Sequence, residues 1–286
     1  MTKSPYKYIV IAGSTASGKS FLALNLAEKL QGEIVNCDSI QVYKGFDIGS
    51  AKPSSEDLER VPHHLYSIAE PSQDFDAVTY ARQARACISN IIGRGKIPIV
   101  VGGTGLYLRT LWGQNFHGLP TDPSLRQELQ VLDSSALMDE LKVSDPIRAQ
   151  AIHPNDRFRL VRAVELCRLL GRPVTGLEDS SDCSHEAFKI RVSIDRQSLH
   201  ARIRRRVLAM LESGLVEEVV KLLESGTIED TKPMKSIGYK QTLDYIHGRI
   251  GRQELEDAIV IATRQYAKRQ ETWFRKVPFD LKVQNP

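Results

Sequence analysis

The chain has 286 residues, of which 41% are hydrophobic and 26% charged, and carries a net charge of +4. That length buries a full core and excludes a stapled miniprotein, while Cys37, Cys87, Cys167 and Cys183 stand too far apart to suggest a zinc site or a disulfide framework. No run approaches the ~18 apolar residues of a membrane span, and Met1-Thr2-Lys3-Ser4-Pro5 lacks a signal segment, so a cytoplasmic protein with no membrane partner is expected. The excess of four cations lies entirely within residues 200–286, which hints at a polyanionic partner.

In chain order, Tyr8-Ile9-Val10-Ile11-Ala12 reads as a buried strand. Gly13-Ser14-Thr15-Ala16-Ser17-Gly18-Lys19-Ser20 then fits the pattern G-x-x-x-x-G-K-[ST]. Phe21, Leu22, Leu24, Leu26, Ala27 and Leu30 follow at helical spacing, so the loop joins a strand to a helix, the context this motif needs. Glu33-Ile34-Val35-Asn36-Cys37 reads as a second strand, residues 77–92 as a helix and Pro98-Ile99-Val100-Val101 as a third strand before Gly102-Gly103-Thr104-Gly105. Residues 122–188 turn polar and helical, Lys189 to Ile194 reads as a strand returning to the sheet, and helices are expected from there to the C-terminus. The alternation predicts an α/β fold: a P-loop doubly wound parallel sheet with a helical insertion domain. Residues 1–121 and 189–286 form the P-loop core with its C-terminal helices, and residues 122–188 form the insertion.

A Gly-rich loop at a helix N-terminus gathers backbone N–H groups around an anion. Lys19 would reach the outer phosphates and the Ser20 hydroxyl would ligate Mg²⁺. Asp38 ends the second strand, where ligands of open α/β sheets collect, and should lie near the phosphate loop. The end of the third strand offers no Asp or Glu of the Walker B kind, which counts against a small-molecule kinase, the alternative reading. A non-catalytic RNA-binding module would have no use for the loop. His63 and His64 follow Pro62 without a Cys, Asp or Glu ligand at suitable spacing, so no metal pair is expected there.

Six further segments narrow the choice: Asp38-Ser39-Ile40-Gln41-Val42-Tyr43, Ile48-Gly49-Ser50-Ala51-Lys52-Pro53, Pro62-His63-His64-Leu65, Gly102 to Tyr107, Ser236 to Gln241, and Thr263 to Gln270. In order and content they resemble the tRNA dimethylallyltransferase family over nearly the whole chain, with the bacterial type the better match because no Cys/His array follows Gln270. The resemblance implies transfer of a dimethylallyl group from dimethylallyl diphosphate to N6 of the adenosine 3′-adjacent to the anticodon. It further implies that residues Gly13 to Ser20 hold a diphosphate, that Asp38 takes the amine proton, and that Thr104 and Lys19 aid departure of the diphosphate. Asp38, Ser39, Ile40, Gln41 and Thr104 would meet the tRNA anticodon stem-loop. So, by the same resemblance, would Arg126, the run Phe158, Arg159, Leu160, Val161 and Arg162, and, in the last helix, Arg264, Lys268 and Arg269. In that helix Tyr266, Trp273 and Phe274 read equally as core anchors or as stacking surfaces. A monomer is expected, and whether ATP also enters the loop is left open.

Overall fold

The computed structural model describes residues 6–113, 119–177 and 183–285. The chain divides into two compact units, one of Met1–Leu111 with Cys183–Pro286 and one of Trp112–Asp182. In the first, β1 (Tyr8–Gly13) runs through the phosphate loop into α1 (Lys19–Leu30). Then come β2 (Glu33–Cys37), α2 (Ser55–Arg60), β3 (His63–His64), α3 (Ala77–Gly93), β4 (Pro98–Gly102) and α4 (Gly105–Leu111). Strands β1, β2 and β4 are almost wholly buried, as their unbroken apolar runs require of a sheet covered on both faces. Helix α1 buries only Ala23, Leu24 and Ala27, and Phe21, expected on its apolar side, is 72% exposed.

The second unit holds α5 (Pro123–Val131), α6 (Ser134–Ser144), α7 (Pro146–Ala151) and α8 (Arg157–Leu170). Each begins at an aspartate, Asp122, Asp133, Asp145 or Asp156, whose carboxylate accepts a first-turn amide. Leu129, Leu137, Leu141, Leu160 and Val164 fill its own core.

The chain returns to the first unit in β5 (Ala187–Ser193), followed by α9 (Arg196–Glu212), α10 (Leu215–Glu224), α11 (Tyr239–Ile246), α12 (Arg252–Phe274) and β6 (Leu281–Gln284). All six strands are parallel, in the order β3-β2-β4-β1-β5-β6. Neighbours β1 and β4 lead in opposite directions, β1 to β2 on one side and β4 to β5 on the other, so the ligand crevice opens at their carboxyl ends. The phosphate loop and the Gly102-Gly103-Thr104 turn both lie there. A Cβ on Gly102 would stand 2.0 Å from the Cys37 carbonyl oxygen, so glycine is what lets β4 close against the end of β2.

Three boundaries differ from those read in the sequence. The helical unit spans Trp112–Asp182 instead of 122–188, because β5 already begins at Ala187. His63–His64 pairs with β2 as an extra edge strand, so the strand at Pro98 is the fourth of the chain. Where only helices were expected, β6 adds a last edge strand, short and largely exposed, with little apolar signal to betray it.

Candidate active site

The phosphate loop is held open by backbone geometry. Ala16 (φ +61°) and Gly18 (φ +92°) both take the left-handed conformation, and Ser17 N–H donates to the Ser14 carbonyl at 3.2 Å. Such a path turns successive N–H groups inward, and α1 starts at Gly18 with no side-chain cap, so its first amides are left to an anion. The hydroxyls of Ser14 and Ser17 are buried without a hydrogen-bond partner among the described residues. Two remote side chains brace the loop. Gln270 on α12 accepts from Thr15 N–H at 2.8 Å and donates to the Gly103 carbonyl at 2.9 Å, joining the loops after β1 and β4. Asn285, just past β6, donates to the Ser17 carbonyl at 2.9 Å.

The loop opens into a cavity of about 330 Å³ within the first unit. Thr15, Lys19, Ser20, Asp38, Ser39, Ile40 and Gln41 line it, all expected from the sequence, and Arg206 of α9 joins them. Lys19 Nζ donates to the Ser14 carbonyl at 3.3 Å. Burial and the Arg206 cation push its ammonium down to about 8, while Asp38 pulls the other way. Burial likewise lowers Arg206, again against the pull of Asp38. The Asp38 carboxylate accepts from Ile40 N–H at 2.9 Å and Gln41 N–H at 3.3 Å, both on Oδ1. It therefore caps its own turn and, through Oδ2, keeps acceptor capacity on the cavity side. The Thr104 hydroxyl accepts from Ser39 N–H at 3.1 Å and so ties the turn after β4 to the Asp38–Ser39 turn. A divalent ion here would find the Ser20 hydroxyl but no ready-made cage, since no group of three His, Cys, Asp or Glu suited to a metal exists among the described residues. That donor set suits an ion that keeps water and ligand oxygens, as Mg²⁺ does.

Elsewhere the expected contacts divide. Leu160 and Val161 are buried in the helical unit's core, which corrects their assignment to RNA, whereas Phe158 and Arg159 on the same helix are exposed. Arg126 and Arg162 both bind the fully buried Glu165, at 3.0 and 2.8 Å. Burial alone would raise the Glu165 carboxyl, but bonds from Arg162, the Asp122 amide and Arg126 outweigh it and hold the group below its ordinary value. Both arginines thus brace their own unit, and each side chain stays partly exposed. On α12 Lys268 and Arg269 are exposed, Arg264 is half-buried, and the Arg269 guanidinium lies over the Tyr266 ring at 5.7 Å. Tyr266 lines the cavity, whereas Phe274 is core and Trp273 packs over Gly105, where a Cβ would meet its indole at 2.5 Å. His64 Nε2 sits 2.6 Å from the Glu33 carboxylate and His63 Nδ1 2.9 Å from the Val61 carbonyl, both structural contacts.

Arg206 and Gln270 escaped the sequence reading. Arg206 ends the run Arg202-Ile203-Arg204-Arg205-Arg206, which reads as a solvated basic face; its spacing from Ile203 and Val207, both cavity-lining, was the available signal.

A parallel α/β sheet with a phosphate loop at its switch point, two cations beside that loop and a carboxylate in the same cavity defines a P-loop protein equipped for group transfer. The family model described as IPP transferase matches residues 41–277, and that described as isopentenyl transferase matches residues 6–74. The chain is 48% identical over 277 residues to tRNA dimethylallyltransferase 1 of Citrifermentans bemidjiense, covering 94% of this chain and 89% of that one. It is 44% identical to the tRNA dimethylallyltransferase of Geobacter sulfurreducens, covering 99% and 93%. Among solved structures, the tRNA isopentenylpyrophosphate transferase of Bacillus halodurans superposes with a TM-score of 0.72 at 38% identity, over 97% of this chain and 89% of that one. A eukaryotic dimethylallyltransferase acting on tRNA gives 0.83 at 30% identity, over 98% and 74%. The chain belongs to the IPP transferase family, the tRNA dimethylallyltransferases, and is an enzyme of the prenyl-transferring class. This membership sets the kinase reading aside.

Proposed function

We propose that the protein transfers the dimethylallyl group of dimethylallyl diphosphate to N6 of the adenosine 3′-adjacent to the anticodon of tRNA, releasing diphosphate. One observation carries the reading: the phosphate loop, Lys19, Arg206 and Asp38 share a single cavity. Breaking the allylic C–O bond leaves negative charge on the departing diphosphate. The loop amides, Lys19 and Arg206 are fixed donors for that charge and need no reorganisation as it develops. Mg²⁺, held by the Ser20 hydroxyl together with diphosphate oxygens and water, would neutralise part of the same charge. The adenine amine forms the new C–N bond and passes its proton to Asp38. Ile203, Val207, Met210 and Ile259 give the cavity an apolar wall that keeps water from the electron-poor allylic carbon.

Each unit by itself exposes side chains suited to an unpaired RNA loop: Phe158 and Arg159 in the helical unit, Lys268 and Arg269 in the sheet unit. Action on tRNA implies a cytoplasmic protein. No helix among the described residues is long and apolar enough to cross a membrane. The test incubates the protein with unmodified tRNA, dimethylallyl diphosphate and Mg²⁺, then analyses the nucleosides by mass. An isopentenyl increment on the adenosine beside the anticodon is expected. Unchanged adenosine, or phosphoryl transfer from ATP in its place, would overturn the reading.

A further inference from the structure

Gly49, Ser50 and Ala51 line the same cavity, and the segment that carries them rests on one distant carboxylate. Glu218, in the first turn of α10, accepts from Asp47 N–H at 3.1 Å and Ile48 N–H at 2.7 Å on Oε2. On Oε1 it accepts from Gly49 N–H at 3.2 Å and from the Tyr239 hydroxyl at 2.6 Å. Three consecutive backbone amides converging on an anion make a nest, and charge-assisted bonds of this kind are about twice as strong as neutral ones. Tyr239 is fully buried, its ring 4.7 Å from that of Phe46, and a Cβ on Gly49 would come within 2.6 Å of it. The segment therefore has one seat.

The next two residues carry the consequence into the cavity. Ser50 and Ala51 offer their carbonyls to Gln41 Nε2, both at 2.9 Å. Two carbonyl acceptors fix which end of the Gln41 amide is nitrogen and occupy both of its hydrogens. What Gln41 has left for a ligand is its carbonyl oxygen, an acceptor suited to an exocyclic amine. We propose that Glu218 is a positioning residue for the acceptor. By seating Asp47–Gly49 it holds the Ser50 and Ala51 carbonyls that aim Gln41 at the amino group of the incoming base, and it has no part in holding the diphosphate. The inference rests on adenosine being the acceptor.

Glu218→Gln keeps the size but loses the charge, and turns one side of the group into a donor facing the nest. Steady-state transfer to an anticodon stem-loop should show KM for the RNA raised about tenfold and kcat lowered less, with KM for dimethylallyl diphosphate within about twofold of wild type. Combining it with Gln41→Ala closes a double-mutant cycle. If Glu218 acts through Gln41, its substitution should cost at most about twofold once Gln41 is gone. Tyr239→Phe, which removes one of the four bonds and keeps the ring, should move KM for the RNA the same way by about threefold, and serves if Glu218→Gln does not fold. Additive losses in the cycle, or an equal rise in both KM values, would overturn the inference. Lack of product from the wild-type protein in the same assay would instead overturn the reaction reading, and with it the acceptor role.

Discussion

Two clusters in this chain each bring two cations to one carboxylate, with opposite outcomes. In the helical unit Arg126 and Arg162 close on Glu165 at 3.0 and 2.8 Å, and the fully buried acid is saturated. In the sheet unit Lys19 and Arg206 share a cavity with Asp38, yet Lys19 bonds only a carbonyl and Asp38 turns one oxygen to its own backbone. The first arrangement satisfies its charges and rigidifies a core; the second leaves them partly unmet, the condition for binding an outside charge. Cation count and proximity do not separate the two. What separates them is whether the carboxylate sits in an apolar core or at the end of a strand.

If the cavity cluster is the working one, Lys19→Ala should cause the largest loss, about 10³-fold in kcat/KM for dimethylallyl diphosphate, because it removes a charged donor to the leaving group. Equilibrium binding of tRNA to that variant should stay near wild type. A variant turning over at the normal rate would erase the contrast. Asp38→Asn, which keeps shape but not basicity, should slow single-turnover transfer about 10²-fold at saturating substrates. A loss below about tenfold would leave Asp38 as a turn cap and nothing more.

The helical cluster should answer the other way. Glu165→Gln leaves two arginines without their counter-charge and should lower unfolding stability by about 2 to 3 kcal/mol, less than for a fully buried pair because both cations reach solvent. Rate at saturating substrates should stay within about twofold, measured well below the melting temperature. A strong loss of tRNA affinity without loss of stability would move Arg126 and Arg162 back to the RNA surface.

The smallest effect is in pH. Lys19 titrates near 8 when folded and near 10.5 in the reference state, so between those values the unfolded chain holds the extra proton. Its contribution to stability therefore rises with pH across that window, while binding of the anionic donor weakens as the ammonium is lost. Lys19→Met should flatten both trends, which denaturant titrations and donor KM from pH 7 to 10 would measure.

The phosphate loop, its strand and its helix were legible because their signal is local, and Asp38 because it follows an apolar strand. Leu160 and Val161 came to the RNA-facing run with the resemblance of the whole stretch, which does not separate its buried members from its exposed ones. The Thr104 hydroxyl also holds the Ser39 amide, a relation between strand ends that no one-dimensional pattern encodes. Arg206 was hidden among neighbours of its own kind. Glu218 left no local mark at all, since its four partners lie in two segments far from it in sequence.

The phosphate motif is synthesised long before either of its two braces. Thr15 waits for Gln270, 255 residues downstream, and Ser17 for Asn285, 268 residues downstream. Contacts of such separation are closed late, after the entropy of long loops has been overcome. A nascent chain that already displays the full motif thus lacks both braces, and its grip on a diphosphate matures as α12 and β6 dock. The vectorial order of synthesis keeps the anion site unfinished until the core around it exists.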